Sequence, residues 1–233
     1  MIPRFFVTGT DTDVGKTRVA AALALALRRT LSPVTPVTIV KPVQTGFFSG
    51  ETGDAETALY QVRAHLRDDL RAKTHARELH RFRKPADPYS AALAEDAAPV
   101  TCSELTAEIE GIDGALVVEG AGGIAVPLNA NETFADLAAA SGLPVILTVG
   151  LRLGCINHTL LTAEYLRSRG CRTTGAILVD RWQETPKEYR ADVARCVSKE
   201  IAVLAVLPHD SAATAIAQCA LQLEEVLCKR CPS

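Results

Sequence analysis

The sequence predicts an α/β protein built on a single doubly wound, mainly parallel β-sheet with helices on both faces. Two observations support this fold class. Apolar runs of strand length alternate along the chain with periodic segments of helix length, which is the order expected of repeated βαβ units. The apolar runs are also continuous rather than alternating, as in parallel strands that are buried on both faces.

The predicted elements follow one another without an obvious break. Strands are predicted at residues 5–8, 37–41, 115–118, 145–149, 175–179 and 201–207. Helices are predicted at residues 16–29, 54–64, 134–140, 156–169, 187–199 and 213–227. Because no linker, low-complexity tract or repeat interrupts this series, we expect residues 1–233 to form one α/β domain.

The composition is that of an ordinary globular protein, with 48% hydrophobic and 22% charged residues. A formal net charge of −2 gives no overall attraction to nucleic acid or anionic lipid, so we expect neither as a partner. The longest apolar run, residues 19–27, is too short to span a bilayer, which needs ~20 residues. Residues 1–7 predict a strand and not a secretion signal.

The cysteines and one basic segment are two further features of the composition. Seven scattered cysteines indicate reduced thiols and a cytoplasmic protein, and the CxxC of Cys228 and Cys231 is expected to be a frayed terminus and not a metal or redox site. Residues 63–84 carry eight Arg or Lys and three acids. This basic segment is predicted to be a solvated helix face and loop, with an anion-steering surface as the alternative.

The strongest motif is TGTDTDVGKT at residues 8–17, which follows the first predicted strand and opens the first predicted helix. That context is typical of a phosphate-binding P-loop. Gly15 lets the backbone approach a phosphate closely, and the N–H groups at the helix start point at the anion. Lys16 supplies a positive charge for the β- and γ-phosphates, while the Thr17 hydroxyl can reach Mg²⁺. The motif predicts a P-loop NTPase-like fold.

The loop is longer than usual and acidic. Gly9 and Gly15 are separated by five residues, where the common pattern has four. Asp11 and Asp13 lie in this longer loop. Carboxylates beside a polyphosphate are repulsive unless they face a cation, so we expect the loop to face a cationic substrate as well as a nucleotide.

A second lysine is predicted to share the crevice. Lys41 begins the motif KPVQTG at the carboxyl end of the second predicted strand, the edge at which ligands bind in doubly wound sheets. Two lysines at neighbouring strand ends suit an anion that gains charge during a reaction. The alternative is a strand-end lysine that merely reaches solvent.

Carboxylates at two other positions suggest a metal site. Glu119 ends an apolar strand and precedes glycines in VVEGAGG, a pattern similar to the second nucleotide motif of P-loop proteins, whose carboxylate holds magnesium. Asp54 is a second candidate ligand, and it also suits a helix N-cap. Thr17, Asp54 and Glu119 together predict a hard-oxygen site for Mg²⁺ that is shared with phosphate oxygens.

A fourth motif, GLRLGCINH at residues 150–158, also lies between a predicted strand and a predicted helix. Backbone N–H groups at such a helix start can bind a carboxylate. Cys155 and His158 lie three residues apart on one helix without an orienting third group, so we do not expect a catalytic pair.

These motifs together resemble one family. GTDTDVGKT, KPVQTG, VEGAGG with a following PL, TFADLA, LPVIL and GLRLGCINH are similar, in this order and over residues 4–210, to dethiobiotin synthetases. The resemblance implies a homodimeric, ATP- and magnesium-dependent ligase. Such an enzyme converts 7,8-diaminopelargonic acid and CO2 through a carbamate and a carbamic-phosphoric anhydride into dethiobiotin, ADP and phosphate.

The resemblance also implies roles for individual residues. Catalysis is expected from Lys16, Lys41 and Thr12, and Asp13 is expected to face the diamine. Substrate contacts are expected from Thr12, Lys41 and Thr45, and from Gly154, Cys155, Ile156 and Asn157 of the second subunit. Nucleotide contacts are expected from Asp13, Val14, Gly15, Lys16, Thr17, Arg18, Glu119, Gly122, Val179, Pro208, His209 and Asp210.

The sequence departs from the family at one expected contact. Family members that use adenine usually carry Asn-Asp where this chain has Val179 and Asp180, and valine has no amide for a base edge. ATP is still the expected nucleotide. A partitioning-type switch ATPase is one alternative, although its signature lysine falls where this chain has Asp11. A cobyrinic-type amide synthetase is another, although it normally carries a glutaminase domain. A nucleotide-binding regulator is the third.

Overall fold

The computed structural model describes residues 2–48, 50–181 and 186–230 of the chain. Its strands are β1 Arg4–Gly9, β2 Val37–Gln44, β3 Thr74–Arg81, β4 Ala115–Gly123, β5 Val145–Gly150, β6 Thr173–Val179 and β7 Val203–Leu207. Its helices are α1 Lys16–Thr30, α2 Asp54–Arg63, α3 Asp68–Arg71, α4 Pro88–Ala94, α5 Cys102–Glu110, α6 Phe134–Ser141, α7 Cys155–Ser168, α8 Lys187–Val197 and α9 Ala212–Arg230.

The strands form one parallel sheet in the order β3-β2-β4-β1-β5-β6-β7. Parallel strands present their carboxyl ends at the same edge, so the loops that follow β1, β2 and β4 meet there. The chain crosses over β1 between β4 and β5, and crevices form at such reversals of strand order. The predicted fold class is therefore confirmed, and the predicted motifs fall at one edge of the sheet.

Successive strand residues face opposite sides of the sheet, and helices cover both. Val7, Ile39 and Val117 pack against the side that carries α1, α2 and α9. Phe6 and Val118 pack against the opposite side, which carries α5 and α6. Helix α1 is apolar all round because it lies between the sheet and other helices, and its residues 19–27 are almost wholly buried. Among the described residues, no helix is both long and apolar enough to cross a membrane.

The six predicted strands are present, but the prediction for the basic segment was wrong. Its residues 74–81 form β3, an edge strand paired with β2. His75 and Arg77 are exposed on this strand, while Thr74 is buried. Charged side chains are a common way of protecting a sheet edge from unwanted pairing, so the charge that suggested a solvated helix belongs to an edge strand. Helices α3, α4 and α5 were also missed.

The opposite edge, β7, is closed by a side chain. The amide of Gln222 in α9 accepts a hydrogen bond from the Val206 N–H at 3.0 Å and donates one to the Val206 carbonyl at 3.1 Å. These backbone groups face away from β6, because the Leu207 carbonyl accepts from the Asp180 N–H that follows β6, at 2.9 Å, and the backbone groups of adjacent strand residues point to opposite sides. Gln222 thus occupies the site at which another strand could add to the sheet.

Gln222→Ala should therefore lower the free energy of unfolding by about 1 kcal/mol, since two edge hydrogen bonds are lost, and should promote association through the open edge. Gln218→Ala, one turn earlier on the exposed face of α9, is the control for the helix propensity of alanine. Urea denaturation and sedimentation velocity measure the two effects. Equal free energies of unfolding and equal association of the two variants would show that Gln222 does not protect this edge.

Candidate active site

The P-loop joins β1 to α1 and turns tightly above the sheet. Gly15 has φ of 97°, and a Cβ added there would lie 2.9 Å from a methyl of Val179, so glycine is required both for conformation and for space. Asp13 also has positive φ, 60°, which aspartate tolerates better than most residues. Val14 is buried against Gly9. The turn directs the backbone N–H groups at the start of α1 towards the cleft.

Lys16 lies at the start of α1, and its side chain is buried with the ammonium held against the loop. Nζ donates a hydrogen bond to the Asp11 carbonyl at 2.9 Å. Burial, and then the positive charge of Lys41, lower the pKa of Lys16 to about 8, although Glu119 and Asp54 act in the opposite direction. The two predicted lysines are therefore close enough to affect one another electrostatically.

Lys41 lies within β2, directly after the last residue of that strand that pairs with β4, and its ammonium is surrounded by oxygens. Its Nζ lies 2.7 Å from Asp54 Oδ2, 2.9 Å from Glu119 Oε1 and 3.2 Å from the Gly120 carbonyl. Burial alone lowers the pKa of Lys41, but the carboxylates of Glu119 and Asp54 outweigh it, so the pKa is raised. The alternative of a lysine that reaches solvent is wrong, because Lys41 is only 3% exposed.

The three predicted metal ligands lie together around this lysine. Thr17 Oγ1 donates to Glu119 Oε1 at 3.0 Å, and Glu119 is 1% exposed. Its second oxygen, Oε2, is buried and accepts no hydrogen bond from any described residue. Asp54 begins α2, where its N–H donates to Gln44 Oε1 at 3.1 Å. A buried carboxylate oxygen with spare acceptor capacity beside a hydroxyl fits a hard cation such as Mg²⁺.

The metal ligands are few. In the described part of the chain, no group of three or more His, Cys, Asp or Glu side chains is arranged to hold a metal ion. Two carboxylates and one hydroxyl suit a cation that takes its remaining ligands from water and phosphate, which is the usual coordination of Mg²⁺ in nucleotide sites.

The loop acids are neutralised by arginines that follow the next two strands. Asp11 Oδ2 pairs with Arg152, which follows β5. Asp13 accepts from Arg181, which follows β6, through its carbonyl at 2.6 Å and Oδ1 at 3.1 Å. The cation that each acid faces in the structure is thus an arginine of the same chain. Sequence reasoning missed both arginines, although each directly follows a strand at the ligand-binding edge.

These groups open into one cleft of about 460 Å³ at the carboxyl edge of the sheet. Its lining includes these predicted site residues: Thr12, Asp13, Gly15, Lys16, Thr17, Arg18, Lys41, Thr45, Asp54, Glu119 and Gly122. It also includes residues that sequence reasoning missed, namely Gln44, Thr57, Gln61, Ala121 and Arg181. Asp54, Thr57 and Gln61 recur at helical spacing, so the face of α2 that meets the cleft could have been predicted once Asp54 was placed there.

The expected nucleobase contacts fall beside the cleft. Val179 is wholly buried in the core beneath Gly15, so its side chain cannot contact a base, and its expected role is corrected to supporting the P-loop. Arg18 donates to the Asp210 carbonyl at 3.3 Å, and His209 Nδ1 lies 2.9 Å from the Arg181 carbonyl. The loop of Pro208, His209 and Asp210 therefore adjoins Arg18 and Arg181, two residues that line the cleft.

The expected carboxylate-binding segment lies outside this cleft. Gly154 caps α7 in the left-handed conformation, with φ of 90°, and Cys155 is buried in the core next to the hydroxyl of Tyr189. Ile156 is half-buried and Asn157 is exposed. None of these residues is among the described lining of the cleft. Cys155 is too deeply buried to act as a nucleophile, and of the terminal CxxC only Cys228 lies within the described residues.

The fold, the loop and the paired lysines define a P-loop nucleotide-binding protein. A family model described as an AAA domain matches residues 3–217. An ATP-dependent dethiobiotin synthetase of Anaeromyxobacter dehalogenans (strain 2CP-C) is 39% identical over 213 residues, which cover 88% of this chain and 89% of that protein. One of Mycobacterium avium (strain 104) is 38% identical over 216 residues, 91% of this chain and 89% of that protein. The chain belongs to the ATP-dependent dethiobiotin synthetase family.

Solved structures with little sequence identity share the fold. The septum-site-determining protein MinD of Pyrococcus horikoshii, in complex with Mg-ADP, has a TM-score of 0.59 at 19% identity and matches 99% of this chain and 97% of its own. A ParA-family ATPase of Chlorobium tepidum has a TM-score of 0.56 at 11% identity, with 99% and 98% covered. At these identities the likeness concerns the fold alone.

The lowered pKa of Lys16 predicts a pH dependence of nucleotide binding. Below pH 8 the free protein carries the ammonium that a polyphosphate requires, and above pH 8 it progressively loses that charge. The dissociation constant for ATP should therefore rise by up to about tenfold per pH unit above 8. Fluorescence titration with a labelled ATP analogue from pH 7 to 10 measures it, with Lys16→Ala as a pH-insensitive control. A wild-type dissociation constant that does not change between pH 7 and 10 would contradict the assignment of Lys16 as the phosphate-binding ammonium.

Proposed function

We propose that the protein closes the ureido ring of dethiobiotin from 7,8-diaminopelargonic acid, CO2 and ATP. One observation carries the proposal: two buried lysines, Lys16 and Lys41, open into one cleft beside a cluster of hard oxygens. This arrangement suits the transfer of a phosphoryl group to an anionic acceptor, in which positioning and charge stabilisation provide most of the catalysis. Membership of the dethiobiotin synthetase family supports the choice of substrates.

The nucleotide occupies the P-loop end of the cleft. The N–H groups at the start of α1 and the ammonium of Lys16 hold the β- and γ-phosphates. Lys16 leaves the Asp11 carbonyl, its partner at 2.9 Å in the structure, to reach them. Ribose and base would project towards Arg18, Arg181 and the loop of residues 208–210, which contact one another.

The diamine occupies the part of the cleft near Thr12, Lys41 and Thr45. One amine adds to CO2 and becomes a carbamate, whose oxygen attacks the γ-phosphorus in line while ADP leaves. The second amine then attacks the carbamoyl carbon, closes the ring and releases phosphate. Lys41 stabilises the carbamate and the transferring phosphoryl group, because its charge is fixed at the cleft by two carboxylates.

Magnesium is the cation that fits the oxygen cluster. Thr17, Asp54 and Glu119 would hold it, with the free Oε2 of Glu119 as the best-placed oxygen. When bound, Mg²⁺ neutralises the charge that spreads over the phosphates. The side chain of Asp54 is 40% exposed, so it can reach the ion directly or through water.

A homodimer completes the substrate site. The α7 start at Gly154–Asn157 lies outside the cleft of its own subunit and has backbone N–H groups suited to a carboxylate. On the same stretch of chain, Leu153 is 90% and Leu161 63% exposed, so both leave apolar surface that a partner could cover. A second copy of the chain would cover them and bring this helix start to the far end of its partner's substrate. The expected compartment is the cytoplasm, where ATP and reduced thiols are available.

The rival functions are less well supported. A partitioning-type switch ATPase shares the fold, but its signature lysine falls at Asp11, which here pairs with Arg152. A cobyrinic-type amide synthetase is less well supported, because the relatives that match 88% and 91% of this chain are dethiobiotin synthetases.

Phosphate release should depend on both diaminopelargonic acid and bicarbonate, with one dethiobiotin formed for each phosphate. Lys16→Ala should abolish this turnover and keep the wild-type melting temperature, because Lys16 serves the anion site and not the apolar core. Coupled phosphate detection and mass spectrometry of the product measure both. Rapid phosphate release at a rate that does not depend on the diamine would indicate a switch ATPase instead.

Leu161→Glu should produce a monomer that still binds nucleotide but has lost turnover, since a charge on the exposed α7 surface opposes association and each site needs its partner. Leu93→Glu is the control, because Leu93 is similarly exposed, at 54%, on the distant helix α4. Sedimentation velocity measures the oligomeric state, and diamine-dependent phosphate release measures turnover. A fully active monomer would remove the proposed role of the second subunit.

A further inference from the structure

Asp11 is the junction of three contacts that fix the P-loop. Its backbone carbonyl accepts from Lys16 Nζ at 2.9 Å. Its Oδ1 accepts from the Thr12 N–H at 2.7 Å, which holds the turn of the loop. Its Oδ2 pairs with Arg152. Asp11 is not among the described residues that line the cleft, and its carboxylate contacts the loop and Arg152.

Arg152 belongs to the turn before α7, where the substrate carboxylate is proposed to bind. Its backbone carbonyl accepts from the Cys155 N–H at 3.0 Å, which shapes the turn into α7. The preceding residue, Leu151, donates to the Val179 carbonyl at 2.8 Å, which ties this turn to β6. The main chain of Arg152 thus shapes the turn before the start of α7, while its side chain reaches the P-loop.

We propose that the Asp11–Arg152 pair is a positioning device that couples the α7 start to the P-loop of the same subunit. The inference rests on the proposed function and deepens it. A carboxylate bound at the N–H groups of α7 orders the turn that contains Arg152. Arg152 then holds Asp11, and through it the Thr12 N–H and the carbonyl that receives Lys16. In the homodimer, each subunit's P-loop thereby responds to the substrate of its partner's site.

The exposure of the pair indicates that it contributes little to stability. The side chains of Arg152 and Asp11 are 38% and 46% exposed, and ion pairs of this kind contribute little to folding. A loop that positions a phosphoryl group is much more sensitive, because a misplacement of about 1 Å can cost a hundredfold in rate. Loss of the pair should therefore lower turnover with little change in melting temperature.

The test compares Asp11→Asn, Arg152→Gln and the double variant in the homodimeric enzyme. Asp11→Asn keeps an oxygen for the Thr12 N–H and loses only the charge. Each single variant should lower kcat about tenfold or more, and the double variant should be no worse than either one, since both remove the same contact. Arg152→Lys should restore most of kcat. Arg169→Gln is the matched control, because Arg169 is 40% exposed and pairs with Asp136 on a different surface.

Two results would overturn the proposal: single variants with kcat within twofold of wild type, or effects that multiply in the double variant. A melting temperature that falls well beyond that of Arg169→Gln would also contradict it, since the pair would then be structural. Failure of the proposed function is a separate outcome, because wild-type protein would then show no diamine-dependent phosphate release. Binding of a fluorescent ATP analogue by each variant provides a measure of the P-loop that is independent of the ligase reaction.

Discussion

The ion cluster in which buried Lys41 pairs with buried Glu119 and with the more exposed Asp54 is the interaction on which the rest of the site depends. It joins β2 and β4, just beyond the last residues at which these strands pair, to the start of α2, and distances of 2.7 and 2.9 Å leave little freedom. An ammonium this deeply buried is stable only with its counter-ions, and removing one partner of a buried pair typically costs about 3–5 kcal/mol. The cluster therefore fixes the geometry at which phosphate, metal and substrate are expected to meet.

Charge around the P-loop is balanced group by group. Asp11 and Asp13 would repel a polyphosphate, yet each is neutralised by an arginine from a neighbouring loop. Lys16 is held by a neutral carbonyl and can be released to a ligand. This local balance explains how a protein with a net charge of only −2 can offer a strongly anion-binding cleft. The same pairs connect the P-loop to the ends of β5 and β6.

Much of the fold could be predicted because continuous apolar runs mark buried parallel strands. β3 was missed because an edge strand carries charge, as at Arg77, in place of an apolar run. Helix α5 had a signal in its capping box, Thr101 with Glu104, that could have revealed it. Lys41 and Glu119 were predictable because each follows a continuous apolar run, although β2 and β4 extend beyond them to Gln44 and Gly123. Arg152 was not, because its partner lies in a loop 141 residues away in sequence.

The most direct test of the central cluster compares the melting temperature of wild type and Lys41→Met with and without millimolar Mg²⁺, in the absence of nucleotide. Met keeps the length of the side chain and removes the charge that holds Glu119 and Asp54. We expect the variant to melt several degrees lower, as a loss of a few kcal/mol implies, and to be stabilised by Mg²⁺ far more than wild type, because the ion replaces the missing cation. An unchanged melting temperature, or an equal response to Mg²⁺ in both proteins, would contradict the account.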